Sequence, residues 1–234
     1  MKKRTLLNGL GLLALGMSMT LCTPKSAVQE EVKTTVEDTL KASTPEEALA
    51  KLMAGNERYV NETSIYPRAD IDRVEETAPH QAPFAAVVGC SDSRVPVELI
   101  FDQGIGDIFV IRTAGNNVNS DMVMGSVDYA IEHLGVKVLL VLGHGSCGGV
   151  TGAISGEEEH GNIGKLLDII RKDVSEFVGK PENLDEAIHK HADIQVERIL
   201  AHPHIAEKVK NKNKISNHDV KKALKEILKK EVGG

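Results

Sequence analysis

Two apolar runs rich in β-branched residues each end in a cluster of metal-ligating side chains, and that coincidence narrows the folds open to this chain. Phe84-Ala85-Ala86-Val87-Val88-Gly89 leads into Cys90-Ser91-Asp92-Ser93-Arg94-Val95-Pro96, and Val138-Leu139-Leu140-Val141-Leu142 leads into Gly143-His144-Gly145-Ser146-Cys147-Gly148-Gly149. Each run has the length and composition of a strand. In an open parallel sheet, ligands bind just beyond the C-terminal ends of the strands. Cys90, Asp92, His144 and Cys147 occupy such places, and two thiolates, an imidazole and a carboxylate form a donor set that Zn2+ takes in tetrahedral sites.

The rest of the chain supplies the sheet and its cover. Strand-like segments at 84–89, 107–111 and 138–142 alternate with a helical pattern at 121–134, closed by Gly135. Such alternation predicts an α/β fold, a mainly parallel central β-sheet flanked by α-helices. Thr44-Pro45-Glu46-Glu47 is a strong helix start, with Thr44 as cap, proline at the first helical position and Glu47 completing a capping box. That helix runs into a polar loop ending near Pro79-His80-Gln81-Ala82-Pro83. Beyond Cys147 the pattern is helical over 148–155, 162–178, 183–201 and 204–210, broken at Pro181 and Pro203.

The termini differ in character. Lys2-Lys3-Arg4 followed by a mostly apolar stretch from Leu6 to Leu21 reads as an export signal over 1–22, with a polar linker over 23–43, a main domain over 44–213 and a Lys-rich amphipathic helix over 214–234. The expected location is the periplasm. Membrane attachment would come only through a retained signal or a lipid on Cys22. The 234 residues, 41% hydrophobic, suffice for one domain with a real core. Losing Lys2, Lys3 and Arg4 with the signal would take the net charge from −6 to −9. Nucleic acid is therefore excluded as a partner, since phosphate binding needs a basic surface.

As they stand, Cys90-x-Asp92-x-Arg94, His144-x-x-Cys147 and the stretches Phe101-Asp102-Gln103-Gly104 and Arg112-Thr113-Ala114-Gly115-Asn116 resemble the β-class carbonic anhydrases in order and spacing, from about Thr44 to about Lys210. The resemblance implies a dimeric unit, a catalytic zinc on Cys90, His144 and Cys147, and a fourth position shared between Asp92 and water. It implies reversible hydration of CO2 to bicarbonate and a proton, with hydroxide on the zinc as nucleophile. Arg94 would draw Asp92 off the metal as a bidentate partner, and Asp92 would then orient the hydroxide. A water pKa of about 7 is known for zinc on three imidazoles in another carbonic anhydrase; two thiolates should acidify water less.

The resemblance also assigns Gln81 to hydrogen-bond the substrate oxygen, and Phe109 and Tyr129 to an apolar pocket wall lent by the neighbouring subunit. For Gln81 the bland reading is a loop glutamine, and for Phe109 and Tyr129 it is core packing. Lys214 to Gly234 departs from the family, whose members finish with a further strand. A hydrolase acting on COS or CS2 through the same zinc is the alternative enzyme, and a zinc-binding protein without turnover is the alternative of another class.

Three further features have competing readings. Two cysteines in an exported protein suggest a disulfide, but Asp92 and His144 favour zinc thiolates. Gly143-x-Gly145-x-x-Gly148 fits a dinucleotide fingerprint, yet the required second strand is replaced by a helical pattern. His189/His191 and His202/His204 are two apart, share no helix face, and are expected at the solvated surface. His160, in a polar loop, is a weak candidate for moving protons.

Overall fold

The computed structural model describes residues 42–210, with side chains through Glu207. The expected signal with Cys22, nearly all of the linker and the Lys-rich C-terminal helix lie outside the described residues.

Three parallel strands form the sheet, β1 (Ala85–Cys90), β2 (Ile108–Thr113) and β3 (Val138–Leu142), in the order β2-β1-β3. All six residues of the central β1 are buried, as expected of a parallel strand covered on both faces. Side chains alternate between those faces. Val87, Leu140 and Leu142 join a cluster with Ala48, Leu52, Val97, Ile100, Val150, Ile154, Ile170 and Ile188. Val88, Ile111 and Val141 join Val118, Val127, Ile199 and Ile205 on the other side.

Among the described residues the α-helices are α1 (Pro45–Val60), α2 (Ile71–Thr77), α3 (Val97–Ile100), α4 (Asp121–Glu132), α5 (Gly148–Ser155), α6 (Gly161–Asp173), α7 (Leu184–Ala201) and α8 (Pro203–Lys210), and all but α2 supply residues to these clusters. The start of α1 is capped as expected: Glu47 N–H donates to Thr44 Oγ1 at 3.2 Å, while the Glu47 carboxylate accepts from Ser43 N–H at 2.7 Å. Helix α2 lies within the stretch expected to be a loop. It is capped by Asp70, which accepts from Arg73 N–H at 3.0 Å, but it buries no residue, so it carries none of the apolar periodicity that marks a helix in sequence. Helix α6 ends at Asp173, short of the expected 178, and a 3-10 turn follows at Ser175–Phe177.

Asp102, just past α3, ties that segment to α1 and the loop after it. Its carboxylate pairs with Arg58 Nε at 2.5 Å and accepts from the amides of Ile65 and Tyr66 at 3.1 and 2.9 Å. At Gly55 the helix backbone passes so close to the neighbouring chain that a Cβ would lie 1.7 Å from the Phe101 carbonyl oxygen. Among the described residues, no helix is long and apolar enough to cross a membrane.

Candidate metal centre

Because β1 and β3 are parallel neighbours, with Gly89 paired to Leu142, the segments leaving their C-terminal ends meet. Cys90 is the last residue of β1, His144 lies two residues past β3, and Cys147 is the N-cap of α5. All three side chains are buried, and one ligand atom from each falls within 4.8 Å of the others. The sulfurs are 4.0 Å apart and both thiols are free.

His144 shows what the cluster lacks. Its Nδ1 lies 2.9 Å from the Gly145 carbonyl, an acceptor, so Nδ1 carries the proton and Nε2 keeps its lone pair. That Nε2 is buried and has no hydrogen-bond partner among the described residues. A buried polar atom left unpaired is costly, and a soft divalent cation between Nε2 and the two sulfurs removes that cost. The titration of the groups agrees. The Cys147 thiol beside it pulls the Cys90 thiol well below its usual range, against the effect of burial, aided by His144 and by the amides of Asp92 and Gly115. Cys147 is pushed upward by Cys90 and by its own burial. The pair thus surrenders one proton readily and holds the second, until a cation makes two adjacent thiolates tolerable.

Asp92 stands at the rim, with Oδ2 3.9 Å from His144 Nε2, and Arg94 holds it there. Arg94 Nε donates to Oδ1 at 2.9 Å, a terminal nitrogen to Oδ2 at 2.7 Å, and the Arg94 amide to Oδ1 at 2.9 Å. The same terminal nitrogen reaches the Ser146 carbonyl at 3.1 Å, so this arginine bridges the two ligand segments. Its guanidinium, and then its amide, hold the Asp92 carboxyl well below the usual carboxylate range.

Two neighbours received no role from sequence. Arg112, on β2, donates from Nε to the Cys90 carbonyl at 2.8 Å and from a terminal nitrogen to the Asp92 carbonyl. Gly115 donates its amide to Cys90 Sγ at 3.3 Å. Both lie in the quoted Arg112 to Asn116 stretch, whose match to the family pattern was the available signal.

Of the substrate-site candidates, Phe109 and Tyr129 lie apart from this cluster within one chain. Gln81 is exposed in the segment entering β1. Phe109 and Tyr129 pair with ring centroids 6.0 Å apart. Phe109 packs on the Val88 and Val141 side of the sheet, opposite the cluster that holds Cys90 and Cys147. Tyr129 is 45% exposed.

The expectation of surface histidines is corrected at His191, which is completely buried. Its ring is held by Gly115, Asp173 and Gln195. Residues 161–173, where a dinucleotide-binding unit would need its second strand, are helical.

Comparison with known proteins gives a consistent result. The family model described as carbonic anhydrase matches residues 85–226. A protein named carbonic anhydrase 2 from Mycobacterium tuberculosis is 38% identical over 163 residues, covering 67% of this chain and 78% of its own. A carbonic anhydrase from Mycolicibacterium smegmatis is 42% identical over 132 residues, covering 56% and 63%. Among solved structures, a tetrameric β-carbonic anhydrase from Sordaria macrospora superposes with a TM-score of 0.54 at 26% identity, over 58% of this chain and 74% of its own. A Coccomyxa β-carbonic anhydrase, solved with acetazolamide, shares the fold with a TM-score of 0.53 at 23% identity, over 79% and 74%.

Proposed function

This chain belongs to the β-class carbonic anhydrase family and is a carbonic anhydrase; we propose that it works with zinc on Cys90, His144 and Cys147, interconverting CO2 and water with bicarbonate and a proton. The observation that carries the reading is His144 Nε2, buried and without a hydrogen-bond partner in a cluster with two free thiols. Cys-Cys-His is a donor set suited to zinc, and three protein ligands leave the open position a catalytic site requires. Bound there, zinc supplies a Lewis acid that makes water nucleophilic near neutral pH.

The chain's own residues do the remainder. Arg94 keeps the Asp92 carboxylate at the rim, so the fourth position stays free for water. Ionised and doubly held, Asp92 can only accept hydrogen bonds, and it thereby orients a water molecule beside His144 Nε2. Two thiolates give the centre more negative charge than three imidazoles would. The Gly115 amide on Cys90 Sγ offsets part of it.

Within a single subunit Phe109, with Tyr129 beside it, lies on the face of the sheet opposite the cluster that holds Cys90 and Cys147. We assign the two rings to the site of a partner in a homodimer, where they supply an apolar wall for CO2, and Gln81 to a hydrogen bond with the substrate oxygen. The half-exposed Tyr129 and the nearby Met122, 85% exposed on the same helix, support a covered face there. Export to the periplasm is proposed on residues 1–22 alone, with attachment through Cys22 as its variant.

Stopped-flow CO2 hydration on the zinc-loaded protein, with metal content measured on the same sample, tests the reading. Hydration that tracks zinc is expected. A zinc-loaded protein that turns over COS or CS2 but not CO2 would move the substrate, and one that turns over none would make the site structural.

A further inference from the structure

Behind the metal cluster lies a buried polar group that the reaction does not use. His191, on α7, sends Nε2 to within 2.8 Å of the Gly115 carbonyl, which can only accept, so that nitrogen donates. Its Nδ1 lies 3.0 Å from Asp173 Oδ2 at the end of α6 and 3.2 Å from Gln195 Nε2. Asp173 is itself anchored: Arg198 forks onto both of its oxygens and Gln195 Nε2 donates to Oδ2 at 3.0 Å. Gln195 Oε1 accepts the Val118 amide at 3.1 Å, fixing the chain just past Gly115. A network this buried and this fully bonded is held in one arrangement.

Its target is unusual backbone. Gly115 sits at φ +66, ψ 26, inside a turn immediately after β2. A Cβ there would fall 2.7 Å from Ile170 Cδ1. From that conformation the Gly115 amide points at Cys90 Sγ, at 3.3 Å. The chain of contacts runs Asp173, His191, Gly115, Cys90, and every member of it is buried.

We propose that His191, seated on Asp173, is a positioning residue for the Cys90 thiolate: it locks Gly115 so that its amide hydrogen-bonds Sγ and draws electron density from the sulfur. The inference rests on the metal reading above. Partners behind a ligand tune the metal through such bonds. Here the bond lowers how much charge Cys90 delivers, keeping a two-thiolate centre acidic.

The test uses the full chain with cobalt in place of zinc, read by its sulfur-to-cobalt charge-transfer absorption and by metal release to a chelator. In His191→Leu, which removes both hydrogen bonds, the band is expected to move to longer wavelength and release to quicken about tenfold or more. His191→Gln, whose amide can still donate to Gly115, is expected to return both toward wild type. Ile199→Ala, a packing change on the same helix, lowers the melting temperature without moving the band. A folded His191→Leu protein with the wild-type band and release rate overturns the inference, as does an equal shift in Ile199→Ala. If His191→Leu does not fold, the shape-preserving Asp173→Asn decides: a shift in the same direction supports the inference and an unmoved band overturns it. Absence of charge-transfer bands in the wild type overturns the metal reading and this inference together, whereas unmoved bands in the variants overturn this inference alone.

Discussion

The sulfurs of Cys90 and Cys147 face each other at 4.0 Å, about twice the length of a disulfide bond. A cation between them holds them apart as ligands. Without one, a small approach suffices for oxidation, and export to an oxidising compartment would expose the chain to it. The metal-free protein, treated with a mild oxidant, is therefore expected to form a Cys90–Cys147 crosslink seen by peptide mapping, and to bind zinc again only after reduction. The zinc-loaded protein is expected to resist. Equal crosslinking in both forms would show that the metal does not sit between these sulfurs.

Arg94→Ala frees Asp92 from both of its side-chain hydrogen bonds, 3.9 Å from a ligand nitrogen. Asp92 is then expected to close the fourth metal position. Zinc content stays at the wild-type level while CO2 hydration falls by ten- to a hundredfold or more. Near-normal hydration in a zinc-replete variant would show that Asp92 stays off the metal without its arginine.

Asp173 gives a stability test away from the metal. Burial works to raise its carboxyl, but hydrogen bonds from His191 and Arg198 prevail and bring it to about 2, against an ordinary 3.8. A depressed carboxyl stabilises the folded state above its unfolded value, and the contribution disappears as pH falls through the folded one. The stability gap between wild type and Asp173→Asn is accordingly expected to be constant above about pH 5 and to shrink by roughly 2 kcal/mol between pH 5 and 2. Denaturant unfolding at a series of acid pH values measures it, and a gap unchanged down to pH 2 counts against the depressed carboxyl.

Tyr129→Ala removes half of the ring pair with Phe109. If that pair walls the partner's site, KM for CO2 rises several-fold while zinc content and the dimer persist. The effect is expected to be one of binding, since a lost apolar wall costs about 1–3 kcal/mol. An unchanged KM would return Tyr129 to ordinary packing.

The strands and most helices were legible because their patterns are local. Val87 and Val88 announce a strand buried on both faces, and Thr44-Pro45 announces a helix start. The candidate ligands were legible because Cys90 and His144 sit where two strands end. His191 was not. Spacing correctly says that it and His189 do not share a helix face, but its burial comes from Gly115, 76 residues away, and from Asp173 on another helix. Nothing near it in the chain records those contacts. Helix α2 was missed for the opposite reason: none of its residues is buried, so no periodic signal marks it.

The placement of β3 against β1 has a consequence for how the protein matures. The two sulfurs are 57 residues apart in sequence, and they become neighbours only after those strands have paired across everything between them. Non-local closures of this kind come late and slowly in folding. In small zinc modules the ion organises the chain; here it would meet a pocket already assembled. Metal capture would thus be a checkpoint on a finished sheet, so adding zinc before or after refolding should leave the folding rate alone and change only how firmly the product is locked.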